Sequence, residues 1–349
     1  MYTLRVNWHI TEEQAAPKPP KARGINVAVI GCGEIMNIAH LKAYQAAGIT
    51  PIGCFDLNAE ASAKTAAAFN IPRIYKCLEE LVSDENVHIV DIAIHMNGRR
   101  EAFEACCKHG KQILIQKPVA HSMAEIEQFV QMSHTAGVKV QVNQQARWAP
   151  THAAVKILLN RGAVGRLNFI RFEMRGWQDD PNTWYVRQKN MTLVDHGVHY
   201  FDLIRFFAGR EAKRVAAMHA SVPGQKHISP VIYSAVIDFG DGLTAEHCFN
   251  NKVMTPEPWG MNIVLDGEEG SIFCDFETVR LQRRDGGPLV FTPQKKWFPD
   301  AFLGPMADLM DAVAENREPA CSLQSNVGTM RLVFGALESA ETGEFVTFE

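Results

Sequence analysis

Between Ile25 and Trp148, short continuous apolar runs alternate with amphipathic stretches. The runs are INVAVIG, TPIGCFD, RIY, VHIVDIAIH, QILIQ and VKVQVN, separated by helix-period segments over 34–48, 59–69, 78–83, 99–109 and 123–136. Strands apolar on both faces belong inside a sheet covered by helices on each side, and strand–helix alternation makes that sheet parallel. The pattern predicts an α/β fold with a doubly wound Rossmann domain over 25–148. From residue 149 the texture changes. THAAVKILLNRG and residues 192–208 read as helices and LNFIRFEMRG as a strand. Then RVAAMHASV, VIYSAVIDFGDGLTAEHCF, MNIVLDGEEGSIFCDF and TVRLQRRDGG alternate apolar and polar positions around GDG and DGEEG turns. These features predict a second, α+β domain over 149–349 with an open, mainly antiparallel sheet, helices at 303–316 and 323–340, and a last strand in EFVTFE. Ahead of both, Tyr2, Leu4, Val6, Trp8 and Ile10 alternate with polar residues, so the arm 1–24 reads as a strand on an acidic, proline-rich linker. Such a strand packs on its own sheet or on a neighbouring subunit.

Composition narrows the picture. The 349 residues are 46% hydrophobic and 21% charged, the balance of an ordinary globular protein. A formal charge of −4 leaves no basic footprint, which argues against nucleic acid as a partner. No apolar run approaches the roughly 18 residues that cross a bilayer, and the N-terminus lacks a basic segment followed by an apolar one. The expectation is a cytoplasmic protein with no membrane partner. Eight scattered cysteines with no CxxC pair read as reduced thiols, with neither a disulfide framework nor a metal site. An exposed sheet surface together with a one-faced arm strand points to a homo-oligomer.

Candidate chemistry sits at four places. In VAVIGCGEIMNIAH, Gly31 and Gly33 form GxG between a strand and a helix, where backbone approaches a pyrophosphate at the helix N-terminus. TPIGCFD ends in Asp56, an acid placed to bind ribose hydroxyls and repel a 2′-phosphate, which favours NAD over NADP. QILIQKPVA puts Gln116, Lys117 and Pro118 at the carboxyl edge of the sheet, where open α/β sheets bind ligands, and His95-Met96-Asn97-Gly98 ends the preceding strand at the same edge. The fourth place is LVDHGVHYFDL. On an α-helix Asp195, His199 and Asp202 share one face and His196 points away from it, so a carboxylate one turn from an imidazole can set its tautomer. A helix-capping aspartate and a satisfied core histidine are the other reading of that segment. Trp148, Trp177 and Trp184, with Arg147, Arg175, Asp179, Asp180, Tyr185 and Arg187, flank it and suit the faces of a sugar ring, although any single tryptophan also suits a core.

The Gly turn, Asp56, QKP and DHGVHYFDL, taken in order, resemble the Gfo/Idh/MocA family of nicotinamide oxidoreductases from residue 25 onward. NQQARWAP (143–150) and SLQSNVGTMRLVFGALESAETG also resemble the family's crossover and closing helix. The resemblance implies an NAD-dependent dehydrogenase transferring hydride from a secondary ring alcohol of a sugar, polyol or glycoside. In it Lys117, His199 and Asp195 are catalytic: His199 takes the hydroxyl proton, Lys117 hydrogen-bonds the same oxygen, and Asp195 binds a neighbouring hydroxyl or orients the site. Gly31, Gly33, Glu34, Ile35, Met36, Asp56, Asn97, Gln116 and Lys117 are the cofactor-binding candidates. Arg147, Trp148, Trp177, Trp184, Asp195 and His199 are the substrate-binding ones. Asp202 is the candidate for holding His199. Alternatives on the same fold are an NAD-dependent glycosidase acting by transient oxidation and a non-catalytic cofactor-binding regulator. Two departures from the family pattern stand out. Gln116 replaces a glutamate, so Lys117 loses a neighbouring negative charge. Met36 replaces a small residue, so the helix sits differently or the methionine faces outward.

Overall fold

The computed structural model describes residues 8–348, which form two compact units. One comprises 17–148 and 297–327, the other 8–16, 149–296 and 328–348. In the first, β1 (Val27–Ile30), β2 (Gly53–Phe55), β3 (Ile89–Ile92), β4 (Gln112–Gln116) and β5 (Val140–Asn143) form a parallel sheet in the order β2-β1-β3-β4-β5. Every residue of β1 and β3 is buried, as strands covered on both faces require. Local chemistry sets the covering helices. Asn58 caps Ala59–Phe69 by accepting from the N–H groups of Glu60 and Ala61, and Ser122 caps Met123–Ala136. Gly137, in the left-handed region, ends the latter. RIY does not become a strand: Ile74 makes only an isolated parallel bridge to Cys54. The helix expected at 99–109 begins earlier, at Met96.

The division differs from a plain split at Trp148, because 297–327 joins the first unit. The apolar side of Leu303–Ala314 explains it. Met306, Leu309 and Met310 lie in one cluster with Val27, Val29, Leu41, Tyr44 and Leu114. Asp311, from the same helix, accepts the N–H groups of Lys21 and Ala22, both at 2.8 Å.

In the second unit nine described strands form one sheet. They are β6 (Leu167–Arg175), β7 (Arg214–Ala220), β8 (Ile232–Gly240), β9 (Leu243–Asn250), β10 (Gly260–Gly267), β11 (Gly270–Cys274), β12 (Val279–Arg283), β13 (Leu289–Phe291) and β14 (Val346–Thr347). Their order is β13-β12-β11-β10-β6-β9-β8-β7-β14, antiparallel throughout except for the β6–β9 pair. Ile170 and Phe172 of β6 are buried between exposed Asn168, Arg171 and half-exposed neighbours, so one face carries the core. The helix Gly197–Ala208 lies on that face, with Phe201 stacked on Tyr233 at 5.9 Å between centroids.

Residues 2–7 of the expected arm strand lie outside the described residues, and 8–10 are not in a strand. From Trp8 onward the described part of the arm packs on its own chain. Arg283 lies 4.8 Å from the Trp8 ring, Arg161 donates to the His9 carbonyl, and Glu12 accepts from the N–H groups of Gln294 and Lys295. Within the supposed linker Glu12–Ala15 winds into a helical turn, closed by reciprocal hydrogen bonds between Thr11 and Gln14. All eight cysteines are free thiols, and no described helix is long and apolar enough to cross a membrane.

Candidate active site

The turn after β1 is built for close approach. Gly31 has φ +94°, and a Cβ there would lie 2.5 Å from the Ala93 carbonyl oxygen. Gly33 is the opposite case: it is exposed, with no atom within 4 Å of where its Cβ would stand. Asp56 buttresses the turn, its Oδ2 accepting the Cys32 N–H at 2.7 Å and its Oδ1 the Asn58 N–H at 2.8 Å. Asn37 donates to the carbonyls of Cys32 and Gly33. A cleft of about 410 Å³ borders the turn, lined by Gly33, Glu34, Asn37, Asn58, Lys64 and Thr65 among others. These residues fit a dinucleotide. The bare Gly33 surface admits a phosphate, the first N–H groups of the helical stretch 34–46 have no intrahelical acceptor, and the Asp56 oxygens have acceptor capacity left for ribose hydroxyls. Of the two placements open to Met36, the structure shows the inward one: it is fully buried in the core cluster, so only its backbone can line the cofactor surface. Met36–His40 is wound as a π-helix, the local change of pitch that accompanies this placement.

Lys117 follows β4 directly and is half-buried. Its backbone is held from both sides. Arg99, buried near the start of the helix Met96–Lys108, donates Nη1 to the carbonyls of Gln116 (2.8 Å) and Pro118, and Nε to that of Ile94 (2.8 Å). The Gln116 side chain accepts the Lys117 N–H at 3.0 Å and donates Nε2 to His40 Nε2 at 3.0 Å. His40 in turn meets Asp91 at 2.7 Å, and Tyr44 donates to the same carboxylate oxygen at 2.6 Å. Burial, with the Asp91 charge beside it, pushes the Tyr44 hydroxyl well above its ordinary range. Gln116, expected to line the cofactor site, is therefore buried under the lysine. Asn97, also a cofactor candidate, is exposed and contacts His121 at 3.0 Å. Arg99, His40, Asp91 and Tyr44 were not singled out from sequence. The signal for Asp91 was present, because a carboxylate inside a strand buried on both faces needs partners.

In the other unit, Met191–His196 is a π-helix that runs into the α-helix Gly197–Ala208. A wider helical turn advances each residue by less than the 100° of an α-helix, so the four steps from Asp195 to His199 fall nearer one full turn and the two residues keep a common face. His199 and Asp202 lie three residues apart within the regular α segment. Asp195 is half-buried and His199 buried. Asp202, fully buried, accepts from the Thr329 hydroxyl at 2.7 Å. Gly197 is required by packing, because a Cβ would lie 2.7 Å from the Tyr233 hydroxyl. That hydroxyl pairs with His247 Nε2, while His247 Nδ1 donates to the Phe172 carbonyl at 3.0 Å, so this ring is a neutral structural acceptor. Burial depresses the His247 pKa from 6.5 to about 4. The unfolded ring titrates near 6.5, so this contribution to stability is complete above that pH and is lost as pH falls towards 4. It amounts to about 3 kcal/mol. Thermal unfolding followed across this range should show that loss in the parent, and a His247→Gln variant should show a flatter dependence.

Trp177 and Trp184 are exposed at 38% and 43%, and the Trp184 ring lies 4.8 Å from Tyr185. Trp259, 47% exposed and not anticipated, covers Gly176 so closely that a Cβ there would sit 2.5 Å from its ring. Asp179 is not available to a ligand. It is buried, ion-paired with Lys252, and accepts the N–H groups of Lys226 and His227. Burial alone would raise its pKa, but these partners hold it below the usual carboxylate range. In the first unit, Arg147 donates to the Ala320 carbonyl, and Trp148 packs its ring against Gly304, where a Cβ would lie 2.1 Å away. The nucleotide turn, Gln116 and Lys117 thus belong to one unit and Asp195, His199, Trp177 and Trp184 to the other.

Comparison with known proteins agrees with both halves. Residues 25–144 match the oxidoreductase family with an NAD-binding Rossmann fold, and residues 152–273 match the Gfo/Idh/MocA C-terminal domain. D-apiose dehydrogenase of Paraburkholderia graminis is 25% identical over 337 residues, covering 91% of this chain and 88% of that protein. Myo-inositol 2-dehydrogenase of Thermotoga maritima is 23% identical over 334 residues, covering 93% and 99%. An Agrobacterium radiobacter oxidoreductase solved with NAD+, L-tartaric acid and magnesium has the same fold, with TM-score 0.83 and 23% identity over 93% of this chain and 98% of that one. A levoglucosan dehydrogenase in complex with NADH and L-sorbose superposes with TM-score 0.83 at 21% identity, covering 93% and 99%.

Proposed function

Because this chain belongs to the Gfo/Idh/MocA oxidoreductases and carries their NAD-binding Rossmann domain, we propose that it oxidises a secondary ring alcohol of a sugar, polyol or glycoside to a ketone. The observation that carries the reading is the lysine clamp: Lys117 leaves the carboxyl end of a buried parallel strand with both flanking carbonyls on Arg99 and its N–H on Gln116. So much backbone control at a ligand-binding sheet edge suits a group that must meet one oxygen in one orientation.

The roles follow from the donor types. NAD, when bound, supplies the electron-pair acceptor that receives the hydrogen of the carbinol carbon. His199, an imidazole, takes the hydroxyl proton. The Lys117 ammonium donates to the same oxygen and stabilises the charge that develops as the proton leaves. Asp195 accepts from a neighbouring hydroxyl. Exposed Trp177, Trp184 and Trp259 offer flat apolar faces for the C–H side of a sugar ring. The relatives named for apiose and myo-inositol, and the levoglucosan enzyme, support a polyhydroxylated substrate. Self-association through the open face of β7 and β8, where Met218 and Val236 stand exposed, belongs to the same reading.

A screen of NAD reduction against sugars, inositols and O- and C-glycosides tests the proposal. At least one class should yield NADH in step with a ketone. Release of an aglycone with no net NADH would replace the dehydrogenase by a glycosidase, and no turnover with any class would remove both.

A further inference from the structure

Lys117 stands on a row of buried polar groups that reaches through the helical stretch 34–46 to β3. The Gln116 amide can be oriented without ambiguity, because its Oε1 accepts the Lys117 N–H at 3.0 Å and only the amide oxygen can do so. Its NH2 therefore faces His40 Nε2, at 3.0 Å, and the Asn143 side-chain amide meets the same nitrogen at 3.1 Å. With the Gln116 donor at Nε2, that nitrogen carries the lone pair and the ring proton sits on Nδ1, directed at Asp91 Oδ2, 2.7 Å away. Tyr44 donates to the same oxygen at 2.6 Å, and the Phe302 ring covers the imidazole at 5.1 Å. Gln116 is 6% exposed, and His40, Asp91, Tyr44 and Asn143 are wholly buried.

We propose that Asp91, His40 and Gln116 form a positioning relay for Lys117, in which a neutral His40 is matched to glutamine at position 116. The inference rests on the role given to Lys117 above. Donation runs one way, from Lys117 N–H to Gln116, from Gln116 to His40 and from His40 to Asp91. Reversing any member leaves two donors or two acceptors face to face in a low-dielectric interior. A glutamate at 116 would set a carboxylate oxygen against the Nε2 lone pair, tolerable only if His40 took a second proton. The glutamine that departs from the family pattern is therefore accounted for by its partner. The histidine fixes the amide, and the amide fixes the backbone from which the lysine projects.

Two readouts on the full chain test this. In 15N-histidine NMR at neutral pH, His40 of the parent should be the Nδ1–H tautomer, and Gln116→Glu should convert it to imidazolium. An Nε2–H ring in the parent, or an unchanged ring in Gln116→Glu, overturns the relay without reference to activity. In steady-state kinetics of the NAD-saturated protein, Gln116→Met and His40→Phe should each lower kcat by about tenfold or more with NAD affinity held within about twofold. The double variant should fall no further than the weaker single one. Losses that multiply, or a parent-like Gln116→Met, overturn it. Lys117→Ala separates the two claims. A parent-like kcat there removes the role of the lysine, whereas a large loss beside unaffected Gln116 and His40 variants removes only the relay.

Discussion

Replacing His199 with alanine is expected to lower kcat by about three orders of magnitude while leaving NAD affinity within about twofold of the parent. Removal of the imidazole takes away the proton acceptor for the alcohol, and a positioned general base contributes an effect of this order. The nucleotide turn belongs to the other unit and depends on Asp56 and Asn37 for its shape, so cofactor binding has no reason to change. Turnover with the best substrate of the screen and a fluorescence titration with NADH measure the two halves. A kcat within tenfold of the parent would remove His199 as the base.

The second large effect separates two glycines of one motif. Gly33→Val should fold with an unchanged Tm yet bind NAD about a hundredfold more weakly, because its side chain enters space that no protein atom occupies and a phosphate needs. Gly31→Ala should do the reverse. Its φ of +94° and the Ala93 carbonyl 2.5 Å from the new Cβ place strain in the backbone, a loss of roughly 2–4 kcal/mol seen as a lower Tm. Calorimetry with and without NAD distinguishes them. Equal loss of stability in both variants would mean that Gly33 serves the turn and not a ligand.

Much of this architecture was legible along the chain. Apolar runs bounded by amphipathic segments required a covered parallel sheet, and period-2 alternation with GDG and DGEEG turns required an antiparallel one. The spacing from the Gly turn to a strand-end acid located Asp56. What periodicity could not show was a change of period: Met36–His40 and Met191–His196 are π-wound, and Met36 lies in the core although it follows the Gly turn. Partners distant in sequence were equally hidden. His40 meets residues 51, 76 and 103 positions away, so its role arises only when β3, β4 and β5 lie side by side. Arg99 carries no signal along the chain, because its role comes from two carbonyls beside Lys117 that lie 17 and 19 positions away. Leu303–Ala314 shows a similar limit, since an amphipathic helix announces that it has a core side but not which core receives it.

Sinking the lysine and the imidazole into one chemical event is the account's central claim, and a crystal structure with NAD and a substrate from the screen addresses it most directly. Lys117 Nζ and an imidazole nitrogen of His199 should both stand about 3 Å from the same substrate oxygen. Either group found on a different oxygen, or out of hydrogen-bonding reach of any, would contradict it.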